Sequence, residues 1–115
     1  MSRKPVFIRG LGVAAALIVV LLASQGRSQE MPAPAAEVKI DNFTFAPQSV
    51  EIPLNTTVTW TNRDDIPHTI VSDDGVFKSK ALDTDDKFSF KFSKAGTYQY
   101  FCGLHPKMVG KITVR

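Results

Sequence analysis

The sequence predicts an all-β protein, a two-sheet sandwich built from about eight short strands. Runs rich in Val, Ile, Thr, Phe and Tyr recur from residue 37 to the C-terminus. Clusters of Pro, Gly, Asn and Asp separate them, and no stretch of this region sustains helical periodicity for long. Apolar and polar residues alternate within several runs, the period-two pattern of a strand with one buried face.

Strands are expected over 37–45, 48–52 and 56–62. In the third, Val58 and Trp60 share one face and Thr57, Thr59 and Thr61 the other. His68 opens an expected strand over 68–72, and another is expected over 77–80. In the strand over 87–92, Phe88, Phe90 and Phe92 form an apolar stripe opposite Ser89 and Lys91. In the strand over 96–101, Tyr98 and Tyr100 share a face with Cys102, which places the cysteine where a core-facing strand ends. The last strand is expected over 109–114. Trp60, Phe43, Phe45 and the Phe88–Phe92 stripe are the expected aromatic core.

Ahead of this domain, Arg3, Lys4 and Arg9 precede an uncharged run from Leu11 to Ala23. That is the pattern of a secretory signal over 1–28, and the run is shorter than the roughly 20 apolar residues a membrane span needs. A Pro/Ala-rich lead-in is expected over 29–36 and the β domain over 37–115, exported to the periplasm and not inserted in the membrane after cleavage. Four of the 14 basic residues lie in the leader, with no acid beside them, leaving 10 against 11 acidic residues. The exported domain is therefore near neutral, and nothing recommends a nucleic-acid partner.

The chain has one Cys and two His, and Met108 is its only Met beyond the leader and lead-in. A lone Cys in an exported protein closes no internal disulfide, so Cys102 is an inert thiol, an intermolecular link or a ligand. The soft and borderline donors fall into two segments: His68, and the short run carrying Cys102, His105 and Met108. Thiolate and thioether suit Cu(I), imidazole suits either copper state, and His2Cys with a weak Met is the donor set of a mononuclear blue-copper site. His68, Cys102, His105 and Met108 are thus the candidate copper ligands, one copper per chain cycling between Cu(I) and Cu(II). The backbone around Pro67, Thr69 and Gly103 is the expected surround that orients the rings and bonds to sulfur.

Other features read as ordinary structure. Asp64, Asp65, Asp73, Asp74, Asp83, Asp85 and Asp86 are expected to do local turn chemistry. Asn42-Phe43-Thr44 and Asn55-Thr56-Thr57 match a short glycosylation pattern. A Cys102/His105 nucleophile pair lacks any marked third group or oxyanion hole, and would leave Met108 without a role. An oxidase or reductase with further copper centres needs more histidines than two. No enzymatic activity is expected, and the alternative to electron transfer is a copper carrier or store delivering metal to a cuproenzyme.

The segments TVTWTNRDDIPH (57–68) and GTYQYFCGLHPKM (96–108) resemble the copper motifs of the cupredoxins. The spacing from Cys102 to His105 to Met108 is similar to that of the amicyanins, whereas plastocyanin and azurin carry longer ligand loops. The resemblance implies a Greek-key sandwich of cupredoxin type, with His68, Cys102, His105 and Met108 as ligands of a type 1 copper. It implies a carrier that shuttles single electrons between redox proteins outside the cytoplasm, with a dehydrogenase or cytochrome as donor or acceptor, and a monomer is the default for a small transient carrier. Thr69 stands where many family members carry an Asn that ties the two copper segments together, and a hydroxyl offers fewer bonds for that task. Lys107 stands where amicyanin carries an aromatic residue.

Overall fold

The computed structural model describes residues 33–115; the expected signal over 1–28 and the first part of the lead-in lie outside them. Eight strands and no helix make up the described residues. They are β1 Ala35–Asp41, β2 Thr44–Ala46, β3 Ser49–Ile52, β4 Thr56–Asn62, β5 Val71–Ser72, β6 Lys87–Phe92, β7 Gly96–Cys102 and β8 His105–Val114. One sheet runs β2-β1-β4-β6 and the other β3-β8-β7-β5. Each sheet is mixed, because β1 lies parallel to β4 and β3 parallel to β8 while the other pairs are antiparallel. The expected two-sheet sandwich is the observed fold.

Aromatic rings hold the two layers together. Trp60 of β4 and Phe45 of β2 meet Tyr100 of β7 with ring centroids 5.4 Å and 4.7 Å apart, and Phe92 of β6 meets Tyr98 at 5.1 Å. The expected alternation holds in β4 and β7, where Val58, Trp60, Tyr98, Tyr100 and Cys102 are buried. Tyr100 reaches its place because the facing β8 residue is Gly110: a Cβ there would lie 2.4 Å from the phenol oxygen.

Three expected elements differ from those observed. The run over 37–45 is not one strand but the β1–β2 hairpin, turned by Asn42 and Phe43 with φ of 52° and 58°. Two-residue hairpin loops of this kind need positive φ at both central residues, which favours Asn followed by Gly. A Phe in that second position costs about 1–2 kcal/mol of backbone strain, and the turn carries Phe43 out of the core, leaving it 48% exposed. Secondly, β1 begins at Ala35, inside the expected lead-in.

The third difference lies around β5, where the expected strands 68–72 and 77–80 shrink to two residues and isolated bridges. Serine hydroxyls take the place of ladder carbonyls there. Ser79 Oγ accepts the Ile70 N–H at 2.9 Å, and Ser72 Oγ accepts that of Phe77 at 2.9 Å. Side-chain acceptors satisfy the backbone without extending the ladder. Phe77 is freed to plug the core against Trp60, Phe90 and Phe92.

Candidate metal centre

His68 is presented by the segment that leaves β4. Asn62, fully buried, organises that segment: its amide nitrogen donates to the carbonyls of Ile66 and Leu82, both at 2.9 Å, and its oxygen accepts the Asp64 N–H at 2.9 Å. His68 itself pairs with Leu82 through two backbone hydrogen bonds of 3.1 Å and 2.8 Å. A side chain this firmly bracketed has little freedom to swing.

Cys102 and His105 come from the β7–β8 hairpin. Only Gly103 and Leu104 form its turn, and Cys102 pairs across it with His105 after a register shift at Phe101/Cys102. The expected ligand loop is thus largely strand, since His105 already belongs to β8. Bulges of this kind re-aim a side chain at the rim of a sheet. Met108 begins the inward-facing alternation Met108, Gly110, Ile112, Val114 and is buried.

The folded chain brings three of the four candidate donors into one cluster. The Cys102 sulfur lies 3.7 Å from Nδ1 of His68 and 3.7 Å from Nδ1 of His105. Donor atoms of these three residues all fall within 4.8 Å of one another. His68 and Cys102 are fully buried and His105 half-buried, so one imidazole edge approaches the surface. One thiol facing two imidazole nitrogens, with a buried thioether three residues along the same strand, fits a thiophilic ion better than a hard one.

Around the cluster, Thr69 does more than its hydroxyl promised. Its N–H donates to the Cys102 sulfur at 3.3 Å, and its Oγ1 accepts the Gly103 N–H at 2.7 Å. A Cβ on Gly103 would lie 3.0 Å from that oxygen, so a side chain there would push the Thr69 hydroxyl back by a few tenths of an ångström. The expected surround at Thr69 and Gly103 is therefore in place.

Asp64 is the residue the sequence reading missed. Local turn chemistry was expected of it, yet its carboxylate makes distant contacts: it accepts from His68 Nε2 at 2.8 Å, Asn42 N at 2.6 Å and Phe43 N at 3.0 Å. Burial pushes this carboxyl up, but the backbone N–H groups of Phe43 and Asn42 and the His68 imidazole outweigh it and hold it below its ordinary 3.8. An ionised carboxylate only accepts, so Nε2 of His68 carries the proton and Nδ1 faces the sulfur with its lone pair. The signal for Asp64 was its place four residues before His68.

A cupredoxin-like domain profile matches residues 13–114 of the chain. The chain is 35% identical to amicyanin-alpha of Methylorubrum extorquens over 97% of its own length and 98% of that protein's. It is 42% identical to plastocyanin of Scenedesmus fuscus, over 64% of this chain and 88% of that one. Among solved structures, a purple cupredoxin from Nitrosopumilus maritimus superposes with a TM-score of 0.66 at 39% identity, covering 70% of this chain and 99% of that one. A variant of amicyanin in its Cu(I) form superposes with a TM-score of 0.68 at 32% identity, covering 75% and 87%. With the sandwich, the donor cluster and these likenesses pointing the same way, the chain belongs to the cupredoxins, a family of blue-copper electron-transfer proteins, and the metal of its site is copper.

Proposed function

We propose that this protein carries single electrons between redox proteins outside the cytoplasm, with His68, Cys102, His105 and Met108 as the copper ligands. The observation that carries the reading is the buried Cys102 sulfur set 3.7 Å from each of two imidazole Nδ1 atoms. Bound copper supplies a one-electron couple between Cu(I) and Cu(II). The chain's part is to hold its donors still through the electron's arrival and departure. Asn62 and Asp64 brace His68, and Thr69 braces the Cys102 turn.

His105 is the proposed electron port, since its ring is half-buried beside exposed Leu104, Pro106 and Lys107. Leu104, Pro106 and Pro67 form the apolar contact and Lys107 steers an acidic partner, a dehydrogenase or cytochrome. The leader over 1–28 sends the β domain that follows to the periplasm, where it acts as a monomer and not as an enzyme.

The test is the visible absorption and EPR spectrum of the protein titrated with Cu(II), beside Cys102→Ala. An intense blue band with narrow copper hyperfine splitting, absent from the Cys102→Ala protein, is expected. A pale, ordinary Cu(II) spectrum would overturn the reading.

A further inference from the structure

Phe43 sits in a conformation that suits glycine. It occupies the second position of the β1–β2 turn at φ 58°, where the absence of a Cβ is an advantage, and it lies outside the buried core. Strain of this kind at an exposed aromatic points to a task for the side chain rather than for the fold. The ring's contacts suggest which task. It meets His68 with centroids 5.4 Å apart at 85°, and His105 at 5.0 Å and 84°, so one ring packs edge-to-face against both imidazoles of the metal centre.

On the Met108 side, the same ring lines a cavity of about 140 Å³ together with Thr44, Phe45, Lys107, Met108 and Val109. A water molecule takes about 30 Å³ of liquid, so this space admits several waters or a small anion, and Lys107 lies in its wall. Phe43 thus belongs both to the wall of a solvent-sized space and to the packing around the two imidazoles.

The turn is fastened from below. Asp64 accepts the N–H groups of Asn42 and Phe43, and through Oδ2 it also accepts Nε2–H of His68. One carboxylate therefore fixes the aromatic turn and an imidazole of the centre relative to each other.

We propose that Phe43 is a screening residue that keeps water and small anions from the metal position, and that Asp64 is the positioning residue that latches it there. The proposal rests on the copper reading above, but one arm of its test does not. In the copper-loaded protein, azide leaves the wild-type visible spectrum unchanged over a range in which Phe43→Gly and Phe43→Ala develop a new azide-dependent band. The variants respond at concentrations lower by roughly tenfold or more, the equivalent of about 1.4 kcal/mol. Phe43→Trp stays close to wild type. Because glycine relieves the positive φ, Phe43→Gly keeps or raises the thermal midpoint while it opens the site, a combination that a merely structural Phe43 would not give. Asp64→Ala moves the azide response in the same direction, and Asp64→Asn, which still accepts a backbone N–H, lies between.

The second arm uses metal-free protein, in which iodoacetamide alkylates Cys102 roughly tenfold faster in Phe43→Gly than in wild type. Equal azide responses in wild type and Phe43→Gly, or equal alkylation rates, overturn the screening role. An Asp64→Ala protein indistinguishable from wild type overturns the latch. A wild-type protein that never turns blue overturns the copper reading instead, and the alkylation rates still decide the role of Phe43.

Discussion

Thr69 Oγ1 accepts the Gly103 N–H at 2.7 Å, and this one hydrogen bond ties the segment carrying His68 to the turn that follows Cys102. The two segments are 34 residues apart in sequence, so the bond closes the frame around the donors. Thr69→Val keeps the shape and removes the acceptor. The expected cost is about 1 kcal/mol, or a fall of roughly 4–8 °C in Tm for a domain of this size. The blue band should shift at the same time, because the Cys102 turn loses one of the two hydrogen bonds that brace it against Thr69. Differential scanning calorimetry beside the visible spectrum checks both, and a shift in neither would remove Thr69 from the frame.

Asp64 makes stability depend on acid. Its carboxyl is held below 3.8 in the folded protein, so the unfolded chain binds the proton more readily. The stabilisation is complete above the unfolded value and is lost as pH falls through the lower folded one. Asp64→Ala should cost about 2 kcal/mol at neutral pH and flatten the acid limb of the stability curve. Urea unfolding from neutral to acid pH measures this, and parallel curves for the two proteins would contradict it.

Tyr100 sets a limit at the alkaline end. Burial pushes its phenol up to about 12, weakly opposed by the Trp60 indole. The folded state therefore keeps a proton that the unfolded state releases near 10. Stability is full below pH 10 and falls as pH rises toward 12, by about 2–3 kcal/mol from this group. Tyr100→Phe should abolish that share of the alkaline loss at little cost near neutrality, since the phenol oxygen has no hydrogen-bond partner of good geometry among the described residues.

Gly110 is the complement of that ring. With a Cβ placed 2.4 Å from both the phenol oxygen and the ring carbon that bears it, Gly110→Ala forces Tyr100 to move within a packed core. A loss of about 1–3 kcal/mol is expected. Combining it with Tyr100→Phe should recover part of the loss, because the oxygen is one of the two nearest atoms. Strict additivity in that double-mutant cycle would show the contact to be unimportant.

Lys107 tests the partner side of the proposed function. Lys107→Glu should slow association with an acidic redox partner and weaken the salt dependence of the rate, leaving the copper spectrum nearly unchanged. Stopped-flow electron transfer at several ionic strengths reads this directly. An unchanged rate would exclude Lys107 from steering.

The donors were legible in the sequence because their residue types are scarce. With one Cys and two His in the whole chain, spacing left few ways to assemble a site. Alternation placed Val58, Trp60, Tyr98 and Tyr100 inward because the side-chain period of a strand is two. Asp64 was hidden by the opposite condition: it is one of 11 acidic residues, and its partners Asn42 and Phe43 are over 20 positions away. Phe43 was expected in the core because the β1–β2 turn lacks the glycine that marks such turns. The shortened strand at β5 was equally silent, since nothing local distinguishes a serine that accepts a ladder N–H from one that faces water.

Trp60 is the only tryptophan of the chain, fully buried among Phe77, Phe88 and Tyr100, with an indole nitrogen that has no partner of good geometry among the described residues. The protein thereby carries a single built-in fluorophore in a dry aromatic setting. Its emission should be blue in the folded state and shift to the red when the two layers part. Because the adjoining Tyr100 lies two residues before Cys102 on the same strand, the lamp also stands close enough to the metal cluster for copper to dim it. One optical channel can then follow both unfolding and metal loading, without a label.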